Sequence, residues 1–457
     1  MSKELWAIPP SWTWAEIENV GRVVSGGTPS TKEASYWGKE IVWFSPADLS
    51  GYKTKYIARG AKSLSRKGLA NSSAQIMPKG TVMFSSRAPI GYVAITSVEA
   101  ATNQGFKSIV PADGIFNEYL YYYLKAAKYV AEERATGTTF KEISGSAFAK
   151  VPVPVAPTNE QRRIVAKIEE LFSELDKGVE SLTTAREQLK AYRQSLLKHA
   201  FAGKLTEEWR SSHDSTPSWQ TVPVAELLAV PLCNGRSVKD RAGGFPVLRL
   251  TALKQGRMDL TENKQGAWDR TTAQPFLVAE GDFFVARGNG SKSLVGMGGL
   301  VGEVTHDVAF PDTMIRLRLD TSKVIPRYFA LCWNSRLVRQ QIERDARTTA
   351  GIYKINQDHV SAFTIPVPSL DEQTLIVERL EKRLLETAFL QQQAEDEVSR
   401  SAALYQSILR KAFSGQLVPQ DPRDEPALVL LERIRAEQGE GTTKKRRNTK
   451  NGRKEAA

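Results

Sequence analysis

Val153-Pro154-Val155-Ala156-Pro157-Thr158-Asn159-Glu160-Gln161 returns later in the chain as Ile365-Pro366-Val367-Pro368-Ser369-Leu370-Asp371-Glu372-Gln373. The offset at the shared glutamate, 372 minus 160, is 212. Further on, Arg193-Gln-Ser-Leu-Leu-Lys-His-Ala-Phe-Ala-Gly-Lys-Leu205 matches Tyr405-Gln-Ser-Ile-Leu-Arg-Lys-Ala-Phe-Ser-Gly-Gln-Leu417, and 417 minus 205 is again 212. The sequence between the two anchors diverges while its length does not. The length of what lies between is therefore itself specified.

Each copy reads as one long helix. Thr158 with Gln161, and Ser369 with Glu372, have the three-residue spacing of a capping box behind a proline-rich approach. Gly203 and Gly415 fall where a left-handed residue ends a helix. In the first copy Ile164, Ile168, Leu171, Leu175, Gly178, Leu182, Ala185, Leu189, Tyr192 and Leu196 step by four and three, a heptad seam that predicts a coiled coil. The second copy puts Arg383, Thr387 and Glu397 where the first has Leu171, Leu175 and Ala185, so its seam is poorer. Gly178 in mid-helix costs about 1 kcal/mol against Ala; a kink, a close approach and a tolerated imperfection all fit it.

A mixed segment of about 150 residues precedes each helix, and the two share an order of features. Pro10-Ser11-Trp12 opens one and Pro217-Ser218-Trp219 the other. A glycine turn and apolar strand follow, Lys79-Gly80-Thr81-Val82-Met83-Phe84 and Glu280-Gly281-Asp282-Phe283-Phe284-Val285. Next come the loops Ser85-Ser86-Arg87-Ala88-Pro89-Ile90-Gly91 and Ala286-Arg287-Gly288-Asn289-Gly290-Ser291-Lys292. An aromatic amphipathic helix is expected around Tyr119 to Ala131 and around Tyr328 to Ile342. Gly137-Thr138-Thr139-Phe140-Lys141 and Thr349-Ala350-Gly351-Ile352-Tyr353-Lys354 lead to the repeated prolines.

At 457 residues, 41% hydrophobic and 25% charged, the chain suits several folded domains rather than a disordered polymer. Its net charge of +12 favours an anionic partner, nucleic acid first. Half of that excess lies in the tail, where Lys444, Lys445, Arg446, Arg447, Lys450, Arg453 and Lys454 face only Glu455. Two cysteines, Cys233 and Cys332, are too few for a disulfide framework and lack metal-ligand spacing. No apolar run approaches the roughly 20 residues of a membrane span, and the start has no signal-peptide core. The expected location is cytoplasmic, with no membrane partner.

The four histidines, His199, His213, His306 and His359, show no metal-like or triad-like spacing. Ala202-Gly203-Lys204-Leu205 lacks the features of a phosphate loop. Arg287 to Lys292 matches no nucleotide fingerprint, and Pro9-Pro10 lacks the flanking residues of a base-methylation motif. No catalytic or metal-binding residue is assigned.

Two dissimilar globules, each followed by a capped helix of fixed length with a shared Val/Ile-Pro-Val approach, Glu-Gln pair and Ala-Phe-x-Gly-x-Leu exit, resemble the specificity subunit of a type I DNA restriction-modification enzyme. The resemblance covers nearly the whole chain. Its specific part is the repeated pattern at 153–205 and 365–417. It implies an α+β protein: two mixed α/β target-recognition domains separated by two long antiparallel helices, a coiled-coil spacer, with a pseudo-twofold repeat. The corresponding division is 1–157, first recognition domain; 158–205, first spacer helix; 206–368, second recognition domain; 369–417, second spacer helix; 418–457, a basic and largely disordered tail.

It further implies that each globule reads one half of a bipartite, asymmetric target in double-stranded DNA. The helices would set the spacing and dock two modification subunits, with two restriction subunits completing the complex. S-adenosylmethionine, ATP and Mg²⁺ would be used by those partners, none by this chain. The rival readings are a single-chain nuclease or methyltransferase with unrecognised motifs, and a scaffold that binds proteins.

For base edges the expected readers are Arg87, Arg287 and Asn289, because Arg pairs bidentately with guanine and Asn with adenine. Ser85, Ser86 and Ser291 belong to the same loops. Lys32, Lys141, Arg236, Lys239, Arg249, Lys292 and Lys354 are expected at phosphates, where they position without specifying. Partner docking is expected around Leu171, Phe172 and Leu175 on the first helix and Leu384, Leu385 and Phe389 on the second.

Overall fold

A computed structural model of the chain describes residues 6–137, 141–213, 218–254, 256–349 and 351–438. Thr138, Thr139, Phe140, Pro217, Ala350 and the basic cluster from Lys444 lie outside the described residues. The chain divides into two compact units, Met1–Ser181 with Glu397–Ala457, and Leu182–Asp396. Each unit thus holds one globule, the first part of the helix that follows it, and the last part of the other helix.

Both long helices form as the repeat requires. They run unbroken over Thr158–Phe201 and Leu370–Phe413, 44 residues each, or about 66 Å at about 1.5 Å per residue. Gly178 leaves the first unbroken, and a Cβ there would meet nothing; it is tolerated rather than required. Both exits turn through left-handed glycines, Gly203 at φ 75° and Gly415 at φ 71°. At Gly415 a Cβ would also lie 2.2 Å from Pro9 Cγ.

The seam follows the heptad reading except at Gly178 and Tyr192, which are exposed. Ile164, Ile168 and Leu196 are buried, while Leu171, Leu175, Leu182, Ala185 and Leu189 are half-buried, as a two-stranded pairing without a third layer leaves them. On the second helix Arg383 and Glu397 are exposed, but Thr387 is buried and the seam runs through Leu384, Gln391, Ala394 and Ser401. Its hydroxyls return to the helix itself: Thr387 Oγ1 donates to the Arg383 carbonyl at 2.7 Å and Ser401 Oγ to that of Glu397 at 2.9 Å. Polar side chains so satisfied tolerate a seam position.

The helix segments pair antiparallel inside each unit. In the first unit Phe172 meets Tyr405 edge-on at 4.8 Å, and the Tyr405 hydroxyl donates to Asp176. In the second, Arg186 Nη2 lies 2.5 Å from Glu395 Oε1, and Arg379 Nη1 donates to the Leu205 carbonyl at 2.9 Å.

In the first unit a five-stranded sheet has the order Gly21–Ser25, Phe106–Pro111, Val82–Ser86, Ile90–Thr96, Tyr56–Ile57, and a three-stranded sheet has Lys62–Leu64, Trp37–Phe44, Ala100–Thr102. In the second unit a six-stranded sheet has the order Cys233–Asn234, Met314–Leu317, Phe283–Ala286, Gly298–Leu300, Arg257–Met258, Leu253–Lys254. The proline-rich approach is itself a strand in both copies. Pro152–Val155 pairs with Thr13–Glu16, and Thr364–Val367 with Gln220–Pro223. A two-stranded ribbon tolerates proline because one edge of each strand needs no donor.

Three expectations change. The aromatic helix is two helices in each globule, Asn117–Ala126 with Lys128–Glu133 and Pro326–Trp333 with Arg336–Asp345. The capping box does not close. Ser369 Oγ does accept from the Glu372 amide, at 3.3 Å, but the Glu372 side chain turns to Thr206, Arg210 and Trp219 instead; Thr158 Oγ1 donates to the Gly114 carbonyl.

The tail is the third. Residues 427–438 are helical, and Ala427, Leu430, Leu431 and Ile434 are buried in the core of the first unit. The Ala427 amide donates to the Ser11 carbonyl at 3.0 Å, so 418–438 belongs to the fold. An apolar pair plus a residue three later supplies a buried stripe that the charge beyond it hid.

Candidate nucleic-acid interface

The repeated Glu-Gln pair is the joint between helix and globule. Gln161 Oε1 accepts from the Phe116 amide at 2.8 Å, and its Nε2 donates to the Ala156 carbonyl at 2.8 Å. Gln373 does the same with the Ile325 amide at 2.8 Å and the Pro368 carbonyl at 2.9 Å. Phe116 and Ile325 are the residues that open the aromatic helices, and both glutamines are fully buried. Each amide thus ties the start of a spacer helix to the start of the first aromatic helix of its globule. Tyr119 and Tyr328 complete the joint by donating to the Pro154 and Pro366 carbonyls at 2.7 and 2.8 Å.

The glutamates face the exit of the other helix. Glu160 accepts from Gln420. Burial holds the Glu160 carboxyl above its usual range. Glu372 accepts from Thr206, Arg210 and Trp219 Nε1. The Ala-Phe of each exit then plugs a core: Phe413 packs edge-on against Tyr119 and Tyr123 at 5.2 and 5.3 Å, and Phe201 against Tyr328 at 5.5 Å.

Beyond the joint, the strands Val82–Ser86 and Phe283–Ala286 follow the left-handed turns at Gly80 and Gly281 and carry the two candidate loops. The amide of Ile143 donates to Ser86 O at 3.1 Å, and that of Ile355 to Arg287 O at 2.9 Å. Ser86 is therefore the counterpart of Arg287, and Arg87 that of Gly288. In an extended segment a one-residue slip reverses the face, so the two arginines, which the sequence suggests are equivalent, point differently.

In the first unit Arg87 is half-buried, with Nη1 3.3 Å from Glu142 Oε2. Lys107 Nζ lies 3.7 Å from the other oxygen, and burial draws its ammonium below the usual lysine range. Ser85 and Ser86 leave the DNA-facing set because both are completely buried. Ser85 Oγ donates to the Pro89 carbonyl and accepts from the Tyr92 amide, both at 2.7 Å, bracing the loop from beneath. Lys141 is exposed next to Glu142; Lys32 is exposed on the separate segment before Trp37.

In the second unit Arg287, Lys292 and Lys354 are exposed, and none of the three side chains has a carboxylate partner among the described residues. Gly288–Asn289, Ile352–Lys354 and Arg347–Thr349 form a three-stranded sheet that gathers Arg287, Asn289, Ser291 and Lys354, with Lys292 next to Ser291. Asn289 Oδ1 accepts from the Ser291 amide at 2.9 Å, which shapes the loop. Arg236, Lys239 and Arg249 are exposed on a different element, around the ribbon Asp240–Leu248 with Asn263–Gly266. Sequence reasoning missed Lys107, Glu142 and Arg347. Nothing in the sequence around the first two marks them as neighbours of Arg87, and Arg347 becomes visible only through its strand register.

Of the residues expected to dock a partner, Leu171 and Leu175 are half-buried in the seam, and Phe172 packs on Tyr122 and Tyr405. Leu384 and Leu385 line a cavity of about 620 Å³ with Leu197, Leu331 and Ala388. Leu385 is 70% and Phe389 63% exposed.

Comparison with known proteins agrees with this duplicated plan. A family model described as "Type I restriction modification DNA specificity domain" matches residues 9–184 and 218–400. The type I restriction enzyme EcoKI specificity subunit of Escherichia coli strain K12 is 26% identical over 96% of this chain and 98% of its own length. The MjaIX specificity subunit of Methanocaldococcus jannaschii is 39% identical over 43% of this chain and 45% of its own. A chain from the structure described as "Structural basis underlying complex assembly and conformational transition of the type I R-M system" has the same fold, with a TM-score of 0.68 at 18% identity, covering 90% of this chain and 100% of that one. The HsdS subunit of Thermoanaerobacter tengcongensis aligns with a TM-score of 0.60 at 17% identity, covering 91% and 100%. With both globules and most of both helices inside the matched ranges, the chain belongs to the type I restriction-modification DNA specificity family.

Proposed function

We propose that this chain chooses a two-part DNA target, one half for each recognition domain, on behalf of a type I restriction-modification complex whose chemistry resides in other subunits. The observation that carries the reading is a duplicated framework supporting unlike surfaces. The joints at Gln161 and Gln373 have the same geometry, whereas Glu142 in one globule stands where Lys354 stands in the other. A framework that repeats while its surface changes suits two different half-sites.

Arg287 is the leading base-edge reader, being exposed and without a carboxylate partner among the described residues, and Lys292 and Lys354 are backbone contacts. The exposed Leu385 and Phe389 are the docking surface for a modification subunit. S-adenosylmethionine, ATP and Mg²⁺ are used by those subunits and the restriction subunits, with two copies of each in the complex, and the complex acts in the cytoplasm.

Selection of bound duplexes from a random pool by the full-length chain with its modification subunit tests this. The expected result is two short conserved blocks separated by a gap of constant length. A single continuous block, or none, overturns it.

A further inference from the structure

Resting on the DNA-recognition reading above, we infer that the row Gly288, Lys354, Arg347 in the second unit is a phosphate clamp, a ribbon of β-structure that seats the DNA backbone. Lys354 pairs directly with Arg347 across antiparallel strands, and Gly288 pairs with Lys354 on the other side. Directly opposed residues share a face, and like charges so placed repel. Both side chains are exposed, and neither makes an ion pair among the described residues. Asp345, the acid that feels Arg347, is held by its own neighbour Arg344 through contacts of 2.8 and 3.0 Å, and the attraction from Arg347 is weaker.

The corresponding row in the first unit is Arg87, Glu142, Thr136. There the central residue is an acid, the flanking arginine is paired to it, and the row is internally neutral. In the second unit the central acid is replaced by Lys354, and the arginine's counterpart is Gly288, which has no side chain to obstruct an approach. The same scaffold thus carries a compensated row once and an uncompensated cationic row once. An external anion would relieve this cross-strand repulsion. Two cations across one strand gap suit the regularly spaced phosphates of a duplex.

Full-length wild type, Arg347→Gln, Lys354→Gln and the double variant are titrated with a random-sequence duplex and with the selected target over a range of salt. Each single substitution is expected to flatten the slope of log affinity against log salt by about 0.9, and the double by about twice that. The loss should be alike on both duplexes, with thermal midpoints unchanged or raised. Lys354→Glu, which copies the first unit's row, should raise the midpoint while lowering affinity on both duplexes. A wild-type slope in the double variant overturns the clamp, as does a loss confined to the selected target. Should wild type bind both duplexes without salt dependence, the DNA-recognition reading itself fails, an outcome separate from a failure of the row.

Discussion

Two buried glutamates in repeated positions are expected to respond differently to replacement by glutamine. Glu160 has its carboxyl raised by burial, so its proton is held more tightly in the folded chain than in the unfolded one. The stability this confers is complete below about pH 4.3 and is lost as pH rises through the higher folded value. Glu160→Gln should match or exceed wild-type stability at neutral pH and flatten the pH dependence above about 4.3. Denaturant midpoints across that range check this, and a loss above about 1 kcal/mol at pH 7 sinks it. Glu372 instead receives Thr206, Arg210 and Trp219. Glu372→Gln should cost about 2 kcal/mol, below the full penalty for a buried pair because Arg210 stays partly exposed. Gly178→Ala should stabilise by about 1 kcal/mol, since no neighbour opposes the methyl group. At the interface, Arg287→Ala should cost about 1–3 kcal/mol and relax preference at one base pair, read by repeating the site selection. Lys292→Ala should weaken all duplexes alike. The Glu-Gln pair was plain in the sequence, but its purpose was not. Three-residue spacing fits a local cap, whereas its actual partners, Phe116 and Ile325, lie tens of residues away.

The long helices and their exits were legible because everything that defines them is local: heptad spacing, glycine at the stop, equal length. The register of the recognition loops was not. Arg87 and Arg287 each follow an apolar strand, and only the hydrogen bonds from Ile143 and Ile355 reveal the slip between them. The helix at 427–438 was overlooked because a run of cations follows it. Its apolar side chains enter the first unit's core, so removing 418–457 should destabilise that unit while leaving the second unchanged. Hydrogen exchange of Val82–Ser86 against Phe283–Ala286 separates the two outcomes, and equal protection of both strands in the shortened chain would refute the assignment. Phe413→Ala should act on the first unit and Phe201→Ala on the second, each by about 3–5 kcal/mol.

Over the whole molecule, the 212-residue repeat foretold a shared plan, and both 44-residue helices bear it out. Adding four residues, about 6 Å, to both helices at matched positions should widen the gap in the selected target by one or two base pairs; an unchanged gap would deny the helices their spacing role. The division into units also orders events in time. Leu182–Asp396 is one uninterrupted stretch, while the first unit draws on Met1–Ser181 and on everything after Glu397. On the ribosome the second unit can therefore finish while the first still waits for Phe413 and Leu430. The tyrosine-lined socket of Phe413 and the apolar site of Leu430 stand open until residues 413–434 emerge, so a product stalled or nicked before them would present a half-closed, aggregation-prone globule alongside a folded second unit.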